Sequence, residues 1–355
     1  MYKTSFTELV GIQWPIIQAP MIGGYSSPEM VAIVSNLGCL GTLALGNLTA
    51  EQIKQQCHQA ISLTDKPVAA NLFARPNPYQ NIPSLNKNSQ EIEILIPYYQ
   101  QLGIDETVLL NHKLANLADL NLQIEALLAT NIPIVTFTFG VPSADIVKKL
   151  KQKGKIVIAT ATTIEEAKQI QNDDFDAVIM QGIEAGGHRA SFLSDGSSGP
   201  TTHSLLKQAQ QSISIPIIIT GGIMNGQQIA QHINNGADAC QLGTAYLFTD
   251  ESKIESYYLE ALLQRQAETC LTNSFSGKYA RVISNKFAQE MEYQHVAPFP
   301  YQGQLTSSIR TKAIELGRYE YLPFWAGESY SLGSQQSTES LTKKLIDDLM
   351  ISISN

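Results

Sequence analysis

The chain has little cysteine chemistry to offer: Cys39, Cys57, Cys240 and Cys270 lie far apart, with no C-x-x-C or C-x-H spacing. That excludes a zinc knuckle or a redox pair and leaves buried free thiols as the expectation. Cations are also in deficit. Lys and Arg number 24 against 32 Asp and Glu, a formal charge of −8, so the molecule as a whole attracts neither nucleic acid nor an anionic membrane. Any anionic ligand needs a local site. No apolar run approaches the length of a membrane span, and the N-terminal MYKTSFTELVGIQWP lacks the apolar core of a signal peptide. A soluble, cytoplasmic protein is expected. No G-x-G-x-x-G turn occurs, which argues against an open dinucleotide-binding sheet.

What the chain does have is repetition. Eight short apolar runs alternate with stretches of helical character: Ile16 to Ala19, Leu40 to Leu45, Val68 to Leu72, Ile134 to Thr138, Ile156 to Thr160, Ala177 to Gln181, Ile217 to Thr220 and Ala239 to Leu242. Helix starts are marked by Ser27 before Pro28 and by the capping boxes Thr49/Gln52 and Thr163/Glu166. Gly38, Gly154 and Gly236 supply stops. Eight such units predict an α/β protein of the (β/α)8 TIM-barrel class.

Two stretches exceed the bare repeat and predict a smaller cap. Between the third and fourth strands, an insertion at about 74–130 begins with RPNPYQNIPSLNKNS and continues into helices expected near Glu91 to Leu102 and Leu117 to Thr130. After the eighth unit, the aromatic- and cation-bearing stretch 266–335 lacks sustained periodicity and is expected to cover the barrel mouth. The barrel then spans 1–265, and 336–355 forms an amphipathic closing helix.

Active sites of such barrels lie at the carboxyl ends of the strands. The residues falling there are Gln18, Pro20 and Met21; Asn71; Phe139; Thr162; Gln181 with His188; Gly221 and Gly222; and Gln241 to Thr244. They are amides, glycines and one histidine. A Schiff-base lysine, a carboxylate cluster for a metal and a pair of acids for glycoside hydrolysis are missing. Such a set suits a protein whose cofactor performs the chemistry. The glycines of TGGI and GT after the last two strands suit one phosphate group. In QGIEAGGHRASF, Gly186 and Gly187 let a flat or anionic ligand approach the backbone, with His188 held beside it. A tight turn carrying an incidental histidine is the alternative.

Taken together, GIQWPIIQAPM, QGIEAGGHRASF, PIIITGGIMNGQQI and GADACQLGTAYL resemble the nitronate monooxygenase family, formerly called 2-nitropropane dioxygenases. SGKYAR, QLTSSIR and FWAGES are similar to its C-terminal portion, so the resemblance spans nearly the whole chain. It implies an FMN-dependent barrel that oxidises alkyl nitronates with dioxygen to a carbonyl compound and nitrite. It further implies that Asn71, Gln181, Gly186, Gly187, Gly221, Gly222, Gln241, Leu242, Gly243 and Thr244 bind FMN, that Met21 lines the flavin and that His188 is catalytic. No metal is implied. Two departures stand out: Ala190 where relatives often carry Gly, and Phe299 where a Tyr is expected, with Tyr301 offering a hydroxyl two positions later.

Other candidates are weaker. His58, His112 and His232 are expected to be solvated, His203 to open a helix, and His295 to lie in the cap within reach of substrate. Lys278 and Arg281 either hold an anion at the mouth or form an ordinary surface pair. The rival functions are an NAD(P)H-dependent quinone or enoyl-thioester reductase on the same barrel, a non-catalytic FMN-binding protein, and a colourless phosphosugar isomerase.

Overall fold

The computed structural model describes residues 2–74, 89–110, 118–265 and 267–354. Its strands are β1 (Ile16–Gln18), β2 (Gly41–Ala44), β3 (Val68–Phe73), β4 (Ile134–Thr138), β5 (Ile156–Ala161), β6 (Ala177–Gln181), β7 (Gly187–His188), β8 (Ile217–Thr220), β9 (Ala239–Leu242), β10 (Thr269–Thr272) and β11 (Ala280–Ile283). Eight of them form one parallel sheet in the order β1-β9-β8-β6-β5-β4-β3-β2. The ring closes where Ile17 bridges Leu40, with Gln18 N donating to Leu40 O and Leu40 N to Ile16 O. This is the expected (β/α)8 barrel.

The strand residues divide alternately between two cores, as the two-residue period of a strand requires. Ala177, Ile179 and Ile218 face inward and pack with Phe6 and Val10 of helix Ser5–Val10, which plugs the bottom. Val178, Met180, Ile217 and Ile219 face outward beneath the helices. One step further along each strand, the inward position turns polar. Ala69 is followed by Asn71, Ile134 by Thr136, Ile158 by Thr160, Ile179 by Gln181, Ile218 by Thr220 and Ala239 by Gln241. The barrel is therefore dry at its base and lined with hydrogen-bonding groups at its mouth.

Helix starts follow the sequence signals at Ser27 and at the reciprocal Thr49/Gln52 box. Thr163/Glu166 is a correction: Thr163 accepts from Glu166 N, but the Glu166 carboxylate turns away from the cap. The insertion also differs from expectation. The helix expected over Glu91 to Leu102 is split into Gln90–Glu93 and Ile96–Leu102. Pro97 explains the break, since it has no N–H and its ring collides with the carbonyl four residues earlier. The next helix, Leu120–Leu128, starts later than expected because Asp119 caps it, accepting from Asn121 N and Leu122 N. RPNPYQNIPSLNKN and His112 lie outside the described residues.

Beyond Gln264, β11 pairs antiparallel with β10 on one side and with β7 on the other, in the registers Ala280↔His188 and Arg281↔Gly187. The turn after β6 is thus one edge of the C-terminal sheet. The insertion joins the same structure: Tyr99 Oη donates to Leu305 O, and Tyr321 Oη to Gln101 Oε1. The last helix, Thr338–Ser354, packs on helices Pro28–Asn36 and Gly226–Asn234.

Candidate active site

A cavity of about 490 Å³ lies at the carboxyl ends of the barrel strands. Met21, Asn71, Gln181, Gly186, Gly187, His188, Gly221, Gly222, Gln241, Gly243 and Thr244 all line it. Leu242 is the exception, because its side chain points outward into the core and its carbonyl accepts from Ala19 N. Thr136, Thr138, Thr160 and Thr220 complete the mouth. These threonines lie within the strands, so the residues just past each strand end give no hint of them. Their signal in the sequence is the inward alternation of each strand.

His188 is held from three sides. Its Nε2 is 2.8 Å from Ser276 Oγ, which also donates to Lys278 O. Its carbonyl accepts from Gln181 Nε2. Its ring packs among Phe139, Phe299 and Trp325, at centroid distances of 6.0, 5.6 and 5.0 Å. Such a setting fixes both the ring plane and the polar edge. Gln181 is similarly constrained. Its Oε1 accepts from Ala190 N and Arg189 Nη1, so its amide nitrogen must be the end that serves His188 O.

Arg189 carries no signal in the sequence beyond its neighbour His188. It is fully buried, and its Nη1 donates to Gln181 Oε1 and Gly182 O while Nε and Nη2 have no hydrogen-bond partner. Burial pushes its guanidinium down to about 10, with Glu166 opposing the shift. Glu166 itself is fully buried and binds four donors: Thr162 N and Oγ, Phe192 N and Leu193 N. It fastens the turn after β5 to the end of the histidine loop. Glu166→Ala would strand all four donors, and urea denaturation should show a loss of about 3 kcal/mol. A loss under about 1 kcal/mol would show that water replaces the carboxylate there.

The glycines act in two ways. Gly186 is a packing point: a Cβ there would lie 2.4 Å from Gly327 N. Gly187 and Gly243 face open space, where an added Cβ meets nothing closer than 3.6 Å. Gly221 and Gly222 take φ of 127° and 70°, which exposes their backbone to the cavity and disfavours side chains. Gly327 N donates to Thr244 Oγ1, and Glu328 N to Glu184 O, so FWAGES forms one flank.

Several candidates are corrected. Lys278 and Arg281 are not a surface pair: Lys278 Nζ donates to Ser191 O, and Arg281 Nε and Nη2 donate to Ile183 O. Each braces the histidine loop from outside the cavity. Tyr301 is buried and is not among the lining residues, so its hydroxyl does not replace the one lost at Phe299. His295 is exposed, pairs with Glu91 at 3.2 Å and does not line the cavity. His232 is half-buried, with Nδ1 lacking a hydrogen-bond partner, and burial lowers its pKa. His58 and His203 are exposed. All four cysteines are free, and Cys270 is only half-buried.

Tyr25, Tyr257, Tyr258 and Phe324, whose rings pack on one another, line an aromatic arm of the cavity, and Arg310 and Ile314 of helix Ser307–Leu316 line the cavity as well. Burial raises the Tyr258 hydroxyl pKa well above its usual range, so it stays a donor, to Trp325 O at 2.6 Å. Among the described residues, no group of three or more His, Cys, Asp or Glu could hold a metal. No helix among them is long and apolar enough to cross a membrane.

Fold and site define a barrel enzyme whose walls, among the described residues, supply amide, hydroxyl and backbone donors around one imidazole. The nitronate monooxygenase profile matches residues 3–348. A probable nitronate monooxygenase of Staphylococcus haemolyticus is 35% identical over 355 residues, covering 98% of this chain and 97% of its own. A probable nitronate monooxygenase of Staphylococcus aureus (strain MSSA476) is 34% identical over 352 residues, with the same coverage. A solved nitroalkane oxidase from Streptomyces ansochromogenes superposes with a TM-score of 0.89 at 33% identity, covering 99% of both chains. FabK from Thermotoga maritima, at 24% identity and TM-score 0.75 over 100% of this chain and 98% of its own, shares the fold. The chain belongs to the nitronate monooxygenase family, a family of flavin-dependent oxidoreductases.

Proposed function

We propose that the protein oxidises alkyl nitronates, and nitroalkanes after deprotonation, with FMN as cofactor and dioxygen as oxidant, giving a carbonyl compound and nitrite. The observation that carries this reading is His188, fixed over a cavity whose other inward groups at the strand ends are amides and hydroxyls.

The residues present fit a flavin mononucleotide. Amides of Asn71, Gln181 and Gln241 suit the carbonyl and imide edge of a flavin. Gly221, Gly222, Gly243 and Thr244 suit one phosphate, with Gly243 leaving open the start of the short helix Thr244–Leu247. Met21 would lie along the ring. Leu242 could contribute only through its backbone. Bound there, FMN would supply the electron acceptor for the nitronate carbon and the donor for dioxygen.

His188 serves both substrate forms. As a neutral imidazole it removes the α-proton of a nitroalkane, and as an imidazolium it steadies a preformed nitronate. Ser276 sets its orientation, and the aromatic walls of Phe139, Phe299 and Trp325 keep water from its faces. The test is anaerobic mixing of FMN-loaded protein with ethylnitronate while the flavin absorbance is followed. Rapid bleaching by the nitronate, with slow or no bleaching by NADH and NADPH, is expected. Fast reduction by NADH with none by nitronate would overturn the reading.

A further inference from the structure

Arg310 is the one cationic side chain other than His188 among the described residues lining the cavity. Its Nη2 donates to Gly303 O at 2.6 Å, while the buried Nε has no hydrogen-bond partner. No carboxylate among the described residues pairs with it, and burial alone pushes its guanidinium down. Among the described residues, Glu255 is the one carboxylate lining the cavity. It is exposed, accepts from Tyr25 Oη at 3.0 Å and lies with Tyr25 in the same arm.

An uncompensated cation withdrawn from water costs stability, and a ligand that neutralises it recovers that cost on binding. The chain carries a formal charge of −8, so an anion approaches a repelling molecule unless the route inward holds a positive group. Ile314, one helical turn beyond Arg310, lines the same wall and is 43% exposed, which puts this helix face at the outer part of the cavity. The aromatic side chains add no charge and the Glu255 carboxylate repels an anion, so among the described lining residues Arg310 is the side chain other than His188 that can attract one.

We propose that Arg310 is the specificity-determining residue by which the site selects an anionic nitronate over the neutral nitroalkane, seating the anion in the cavity before it meets His188. This rests on the nitronate reading above. A bracing role for helix Ser307–Leu316 through Gly303 is the competing account, and it has a different signature. Loss of a brace weakens both substrate forms together.

The experiment compares wild type, Arg310→Gln and Arg310→Lys, each FMN-loaded, on ethylnitronate and nitroethane. Arg310→Gln should lower kcat/KM for the nitronate by about 30-fold and that for nitroethane by less than about threefold, with Arg310→Lys retaining most of the preference. Nitrate serves as an inert planar anion, titrated by the flavin difference spectrum. Its Kd should rise by about tenfold or more in Arg310→Gln. Wild-type kcat/KM for the nitronate should fall with ionic strength while that for nitroethane does not, which tests the idea even where a variant misfolds. Equal losses on both forms, or a nitronate rate indifferent to salt, overturn the assignment. If wild type oxidises neither form, the nitronate reading fails instead, and the nitrate titration alone decides whether Arg310 seats an anion.

Discussion

His188→Asn is expected to slow turnover of a neutral nitroalkane by about 10² to 10⁴-fold, while a preformed nitronate loses about tenfold. The difference arises because only the neutral form has a proton to surrender. Asparagine keeps a polar amide but ends short of the position of Nε2, the atom that meets Ser276 Oγ, so folding must be checked alongside the kinetics. Flavin content must first be shown equal, because Gln181 and the His188 carbonyl share a hydrogen bond. The measurement is kcat/KM for both substrate forms. Wild-type kinetics on both would remove His188 from the chemistry and leave the turn as a support for the flavin.

Gly186→Val should release the cofactor without unfolding the barrel. A Cβ at this position would lie 2.4 Å from Gly327 N and 2.6 Å from Ala326 C, both backbone atoms, so the flank must move. Trp325 would then leave His188, and Thr244 would lose the N–H of Gly327. Overpacking of this kind costs about 1 to 3 kcal/mol, and if that cost falls on the bound state the FMN Kd weakens by about 5- to 150-fold. Titration of apoprotein by flavin fluorescence, with far-UV circular dichroism as the control, checks this. A wild-type Kd in a folded variant would show that the FWAGES flank does not shape the flavin site.

The barrel was legible because each of its strands is short, apolar and bounded by turn residues. Its site was legible because polar residues of a barrel collect at one end. Three kinds of feature were not. Splitting of the Glu91 to Leu102 helix was readable from Pro97, but the apolar periodicity around it dominated. The roles of Glu166, Arg189, Lys278 and Arg281 depend on which loop each side chain meets, and these are tertiary contacts with no local spacing. Arg310 falls in the QLTSSIR stretch, but only the structure shows that no carboxylate among the described residues meets it. The capping signal at Thr163 illustrates the general point. A glutamate three residues later suits a box, yet four buried donors elsewhere outcompete one exposed cap.

The pairing of β7 with β11 also fixes an order of events during synthesis. Gly187 and His188 leave the ribosome long before Ala280 and Arg281, the residues that give them an edge to join. The N-terminal part of a nascent chain can begin to compact while the rest is still being made. In this chain, all eight barrel strands can assemble while the turn that bears His188 is still without its partner strand, and Trp325 arrives later again. A half-made chain therefore has a barrel before it has a site, and the cavity gains its full enclosure only when the final third of the protein is in place.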